Sequence, residues 1–207
     1  VFTLEGVIYS TSLQGELLWA QLLDRVPKIA DQHLYNNIIP TTPLVAGNMI
    51  LLCAEGSASL VCLDRMTGNL LWQYQHPGLQ KMVGIFDEQI ILVCQSGIQS
   101  LQLKDGATRW FHPVSVNPQS VLIHNDHVLA LTLDKPQTTA QLSMESERGI
   151  LWIHPQTGNV EHHFSLQEEN KLFFDAEQIF TFADQVVVVS NVDINARTFK
   201  LLGLPVK

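Results

Sequence analysis

Short apolar runs alternate with tight polar turns along this chain, and the alternation repeats. Residues 49–52, 90–93, 128–131 and 186–189 are apolar, and each run follows a two-residue turn signal: Gly47-Asn48, Asp87-Glu88, Asn125-Asp126 and Ala183-Asp184. Four consecutive apolar residues bounded by turn chemistry predict a strand buried on both faces. A second hairpin follows each one. Segments 60–64, 100–103 and 150–153 lead into Arg65-Met66-Thr67-Gly68, Lys104-Asp105-Gly106 and His154-Pro155-Gln156-Thr157-Gly158. Asp or Thr beside Gly is turn chemistry, because Gly accepts φ > 0 and the short polar side chain bonds its own backbone. The strand after the turn ends in an aromatic residue at fixed distance: Gly15 to Trp19, Gly68 to Trp72, Gly106 to Trp110, with His162 at that place after Gly158. Three of the four tryptophans thus occupy one repeat position. No stretch shows the i, i+3, i+4 spacing of an amphipathic helix.

Each unit therefore holds four strands, and Trp72 and Trp110 stand 38 residues apart. That period suits a β-propeller blade. Superposing the units places Cys53 and Cys94 at one position, three residues before Gly56 and Gly97, with Thr132 and Ser190 at the equivalent places. A small residue is expected there because neighbouring sheets pack closely.

The run from Leu63 through Asp64, Thr67 and Gly68 to Trp72 is similar to the consensus L-D-x-x-T-G-x-x-x-W of PQQ-like (quinoprotein-like) repeats. The likeness is partial around Gly15 and Gly106 and weaker around Gly158, and it extends over most of the chain. It implies an all-β propeller of four-stranded antiparallel blades, in which the repeat tryptophan docks between adjacent blades. Gly15, Trp19, Gly68, Trp72, Gly106, Trp110 and Gly158 are then structural repeat positions. About four to five blades are visible within a single domain or propeller fragment spanning 1–207. Units 40–76, 79–113 and 116–166 are complete. Units 1–23 and 172–207 are partial, the first resembling the last two strands of a blade and the last resembling the first strands of another. Open ends leave unpaired edges, which invite association. Three arrangements satisfy them: the two ends share a blade and close a four-bladed ring, two chains pair, or the chain is part of a larger propeller.

Composition narrows the partners. With 46% hydrophobic residues over 207 positions a real core is expected. A net charge of −8 with only twelve Lys and Arg removes the electrostatic term on which nucleic-acid binding depends. The apolar runs are strand-sized, far below the roughly 20 residues of a membrane-spanning helix. The sequence opens on Val and shows no charged segment followed by an apolar one, so any signal peptide is expected to lie outside it.

Candidate chemistry reduces to a few clusters. The resemblance brings quinoprotein dehydrogenases into view, whose PQQ and Ca²⁺ sites typically carry vicinal cysteines, an Asp base and a metal-binding Glu and Asn. Here Cys53, Cys62 and Cys94 are isolated and no segment matches those motifs. Neither PQQ nor calcium is expected. His124-Asn125-Asp126-His127 has H-x-x-H spacing, but the units place Asn125-Asp126 at the shared hairpin turn, so the histidines border a turn. His162 and His163 are consecutive on a strand and point to opposite faces. His162, standing where other units have Trp, is expected to be a packing residue with a polar end. Cys53 and Cys94 are expected to lie too far apart for a disulfide, and Cys53 and Cys62 either face each other across a hairpin or remain buried thiols. Asp24, Asp175 and Glu177 read as loop charges. No phosphate loop, G-x-S-x-G or H-E-x-x-H motif is present. No catalytic, cofactor or metal residue is named.

Insertions 23–42, 134–149 and 167–175 exceed what hairpins need, and loops on a rigid scaffold are where binding concentrates. The expected function is a non-catalytic scaffold or interaction domain that binds a protein or an extended ligand through rim loops or strand edges, or self-associates. The alternative is a fragment or relative of a PQQ-dependent oxidoreductase. The resemblance alone implies a periplasmic or extracellular location.

Overall fold

The computed structural model describes residues 7–22, 42–53, 58–133, 149–166, 176–182, 185–193 and 198–205. These residues are all strand and turn. The strands are β1 (Val7–Thr11), β2 (Leu17–Leu22), β3 (Leu44–Ala46), β4 (Met49–Cys53), β5 (Ser59–Asp64), β6 (Leu70–Gln75), β7 (Leu79–Phe86), β8 (Gln89–Cys94) and β9 (Gly97–Gln102). They continue with β10 (Thr108–Pro113), β11 (Val116–His124), β12 (His127–Thr132), β13 (Gly149–Ile153), β14 (Val160–Ser165), β15 (Ala176–Phe182), β16 (Gln185–Asp193) and β17 (Thr198–Pro205).

Sequential strands pair antiparallel into five sheets: β1-β2, β3-β4-β5-β6, β7-β8-β9-β10, β11-β12-β13-β14 and β15-β16-β17. Among the described residues three sheets have four strands, β1-β2 has two and β15-β16-β17 has three. By compactness the chain divides into two units, Val1–Gln95 with Leu101–Arg109, and Ser96–Ser100 with Trp110–Lys207.

Turn chemistry sets the hairpins. Gly47 is left-handed at φ 57°, Asp87 at 50°, and Asn125 and Asp126 at 42° and 61°. Only Asn125-Asp126 has positive φ at both central residues, as a type I′ hairpin demands; Gly47-Asn48 and Asp87-Glu88 have it at the first alone, the sign pattern of type II′. The Ala183-Asp184 turn lies outside the described residues.

In the first unit, Leu51, Cys53, Leu60 and Cys62 of the second blade pack with Leu79, Met82, Ile90, Leu92, Cys94 and Leu101. The other face of that blade, Leu52, Val61 and Leu63, packs with Ile8, flanked by Trp19 and Ile50. Both faces of β4 and β5 are thus covered, which is why these strands are apolar without alternation. In the second unit, Leu129, Leu131, Ile150, Trp152 and Leu166 pack with Ile179, Val186 and Val188 of the last sheet. The small-residue position ends β4, β8 and β12 with Cys53, Cys94 and Thr132. At Thr132 the hydroxyl accepts from the Gly149 amide at 2.8 Å and donates to the Gly149 carbonyl at 3.1 Å. That pins together the two ends of the 134–148 segment, so a long connection costs the sheet little register.

Candidate functional site

Three tryptophans make one contact, written three times. Trp19 Nε1 donates to the Arg65 carbonyl at 3.0 Å, Trp72 Nε1 to Leu103 at 3.1 Å, and Trp110 Nε1 to Pro155 at 2.7 Å. In each case the acceptor lies three residues before the glycine of the following turn. The indole also lies over that glycine. A Cβ on Gly68 would stand 2.5 Å from Trp19 Cε3, one on Gly106 2.8 Å from Trp72 Cε3, and one on Gly158 2.6 Å from Trp110 Cδ2. Glycine is required twice over, by the ring and by φ values of 73°, 72° and 74°. Tryptophan suits the site because its apolar body covers the glycine, buried at Trp110 and partly buried at Trp19 and Trp72, while its N–H finds an acceptor.

The receiving turn is itself braced. Asp64 Oδ1 accepts from the amides of Met66 and Thr67 at 2.9 and 2.8 Å and from the Thr67 hydroxyl at 2.9 Å. Asn48 donates to Oδ2 of the same carboxylate. These bonds, those from Thr67 foremost, hold the Asp64 carboxyl below its ordinary value of 3.8. At the fourth unit His154 replaces the aspartate, and its Nδ1 accepts from the Gln156 amide at 3.2 Å.

The fourth tryptophan escapes a reading confined to the repeat position. Trp152 on β13 is the cross-strand partner of His162 on β14, as Cys62 on β5 is of Trp72 on β6. The indole has moved to the neighbouring strand, where it is buried among Leu129, Leu131, Ile150 and residues of the last sheet. The signal was in the spacing, since Trp152 and Cys62 both stand ten positions before the residue they pair with. His162 is exposed, contrary to the packing role expected of it. With the indole on β13 doing the packing, nothing draws an imidazole inward.

The other candidates separate rather than converge. His124 and His127 are paired across the β11–β12 turn. His127 Nδ1 lies 2.8 Å from the Asn125 carbonyl and Nε2 2.7 Å from Glu161 Oε2. His124 Nε2 is buried and finds no hydrogen-bond partner among the described residues. Cys53 faces Leu60 and Cys62 faces Leu51, so these two thiols are not opposite each other. All three cysteines are buried, and none is in a disulfide with another described residue. Burial pushes the Cys62 thiol up to about 11 and the Cys94 thiol up to about 12, the latter also through the charge of Cys53. Among the described residues no three of His, Cys, Asp and Glu are grouped to hold a metal ion. No helix among them is long and apolar enough to cross a membrane. Glu177 stands on β15 rather than in the loop expected of it, because the strand begins at Ala176; its side chain, Asp24, Asp175 and the insertions, apart from Thr42 and Gly149, lie outside the described residues.

The blade-terminal strands expose large apolar residues among polar ones. Leu17 and Leu18 on β2, Leu70 and Leu71 on β6, Phe111 on β10 and Val160 on β14 are all exposed. Each of these strands ends its sheet, with one edge unpaired inside that sheet. Exposed strand edges carrying large apolar residues are the usual addresses for strand addition and partner contact.

Known proteins share this arrangement. The family model for the outer membrane protein assembly factor BamB matches residues 3–193. Among solved structures, BamB from Moraxella catarrhalis is similar over 97% of this chain and 52% of its own, at 16% identity and a TM-score of 0.60. A europium-containing methanol dehydrogenase is similar over 89% of this chain and 43% of its own, at 9% identity and a TM-score of 0.59. The quinohemoprotein alcohol dehydrogenase of Comamonas testosteroni follows with 90% and 38%, 12% identity and a TM-score of 0.53. At these identities the likeness is one of fold, and the fold is the β-propeller. The chain spans about half the length, or less, of the solved structures it matches. The comparison with curated proteins found no match.

Proposed function

Because this chain belongs to the family of the outer membrane protein assembly factor BamB, we propose that it is a non-catalytic propeller scaffold that engages a protein partner along the edges of its blade-terminal strands. The carrying observation is the set of exposed apolar residues, Leu17, Leu18, Leu70 and Leu71 foremost, on strands with an edge unpaired inside their sheet. An extended partner strand would gain main-chain hydrogen bonds from the edge and side-chain contacts from the leucines. The family's role in outer membrane protein assembly supports a protein partner and a periplasmic location.

Strand edges are favoured over cofactor chemistry because the described donors do not group. We propose that the protein uses neither PQQ nor calcium. Thermal unfolding with PQQ and Ca²⁺ in large excess checks this, because a ligand that binds only the folded state raises the apparent stability. No shift is expected, and a rise of several degrees would restore the oxidoreductase reading.

The scaffold reading itself is tested by replacing Leu17, Leu18, Leu70 and Leu71 with Ser and crosslinking in the cell envelope. Loss of the crosslinked partner with unchanged thermal unfolding is the expected outcome. Retention of every partner, followed by its loss when residues 134–148 are replaced instead, would move binding from strand edges to a rim loop.

A further inference from the structure

With His162 in place of the repeat tryptophan, β14 does not carry the indole that ties β2, β6 and β10 to a later turn, but another tie crosses its own sheet. Glu161 is the extra residue of a bulge, since His162 faces Trp152 and Val160 faces Ile153. The same shift makes Leu18 the extra residue in β2 and Leu71 in β6, and both are exposed. A bulge re-aims a side chain. In β14 that side chain is a carboxylate, and it reaches past β13 to His127 on β12, Oε2 standing 2.7 Å from Nε2.

The His127 ring is held at both ends, with Nδ1 2.8 Å from the Asn125 carbonyl and Nε2 against Glu161. A carbonyl oxygen only accepts, and so does an ionised carboxylate, so both acceptors are satisfied only with a hydrogen on each ring nitrogen. Losing one of those protons to solvent leaves a single N–H for two acceptors. One of the two bonds then breaks. Among the described residues the other titratable and charged groups about this ring are His124, its cross-strand partner on β11, Asp126 in the turn between, and His154, which follows Ile153, the partner of Val128. His162 and His163 follow Glu161 on β14 and are exposed. The strand β10, whose Trp110 donates to the Pro155 carbonyl, carries Arg109 and His112. The last sheet meets the blade through Ile179, Val186 and Val188, all apolar.

We propose that His127 and Glu161 form a proton-dependent clasp that stands in for the indole tether and sets how firmly β14 is held to its blade. The direction follows from the proton count. The closed clasp holds one proton more than a neutral imidazole beside an ionised carboxylate, so closing is favoured at low pH and weakens as pH rises through the range in which histidine changes charge. With the two side chains 22% and 39% exposed, solvent screens the pair and the effect is a small factor, about threefold. Local opening of β14, and not the fold as a whole, thereby answers to pH. The clasp is independent of whether any strand edge takes a partner.

Hydrogen exchange of the β14 amides tests this, read by NMR at about pH 5.5 and about pH 8.5 and expressed as protection over the unfolded-chain rate at each pH. In the unaltered protein protection is expected to fall about threefold between the two. Glu161→Gln is expected to hold it level, because the amide donates to an unprotonated Nε2 as readily as it accepts from a protonated one. His127→Phe is expected to give the low value at both. Nitrogen NMR of the His127 ring adds a direct reading, a hydrogen on both nitrogens in the acidic sample. Protection that stays level in the unaltered protein overturns the proposal, as does a ring carrying one hydrogen in that sample. A fall that persists unchanged in Glu161→Gln equally overturns it and passes the pH response to His124, His154 or the exposed His162 and His163.

Discussion

The second and fourth blades put their indole on different strands. In the second blade Trp72 stands on the terminal strand with Cys62 as its cross-strand partner, and in the fourth Trp152 stands one strand inward with His162 opposite. Both rings are packed into a core, Trp72 with the cluster that includes Leu101 and Trp152 with the one that includes Val186 and Val188. Only the first arrangement also closes a hydrogen bond to the turn that follows. The comparison separates two jobs that the repeat motif merges, filling the space between sheets and tethering the strand to its neighbour. The fourth blade keeps the first job and gives up the second, and His162 is left in solvent.

The largest effect should come from deleting either ring. Trp152→Ala removes a nearly fully buried side chain and should cost about 3–5 kcal/mol, with Trp72→Ala toward the lower end because its ring is only partly buried. His162→Ala should change stability by less than about 0.5 kcal/mol. Urea unfolding reads all three, and a His162→Ala loss as large as the others would show that the imidazole packs after all.

A smaller effect isolates the tether. Trp72→Phe keeps much of the apolar volume but leaves the Leu103 carbonyl without its indole donor, at a cost of about 1–2 kcal/mol. Trp152→Phe carries no such tether among the hydrogen bonds described, so it should cost less. Equal losses for the two would dissolve the distinction drawn between the blades.

The smallest effects are those of pH, and they too distinguish the blades. Asp64 braces the turn of the second blade with a carboxyl held below 3.8, so its contribution is whole above that value and is lost as pH falls through the folded value. His154 replaces it in the fourth blade, where no carboxylate protonation is at stake. Asn at position 64 should therefore flatten the acid limb of a Tm-against-pH curve. On the alkaline side, Cys62 and Cys94 stay protonated in the fold up to about 11 and about 12. Their contribution is whole below pH 9 and drains away above it, as the unfolded chain ionises first. Ser at both positions should flatten that limb in turn.

The blade register was legible in the sequence because its signals are local. Gly-Asn, Asn-Asp and Thr-Gly turns, fixed Gly-to-Trp spacing and four-residue apolar runs each follow from the backbone preferences of a few adjacent residues. The candidate site was legible only by subtraction. H-x-x-H collapsed into a turn because hairpin pairing sets His124 against His127 across it, and Cys53 and Cys62 pass each other because β4 and β5 pair in a register that puts Leu60 opposite the one and Leu51 opposite the other. The role of Trp152 was hidden by attention to one column of the repeat. Its partner across the sheet decides its meaning, and partnership across a sheet is a property of two strands.

By itself the sequence determined an all-β chain of four-stranded units, the position of nearly every turn, and the glycines that must be left-handed. The tertiary structure alone decided what those glycines are for. A turn needs its φ and is satisfied by the residues within it, but the indole that lies over Gly68, Gly106 and Gly158 arrives from the preceding unit, 46, 31 and 45 residues away by the hydrogen bonds that accompany it. Spacing fixes where a side chain sits in its own strand, while what it touches depends on how sheets stack.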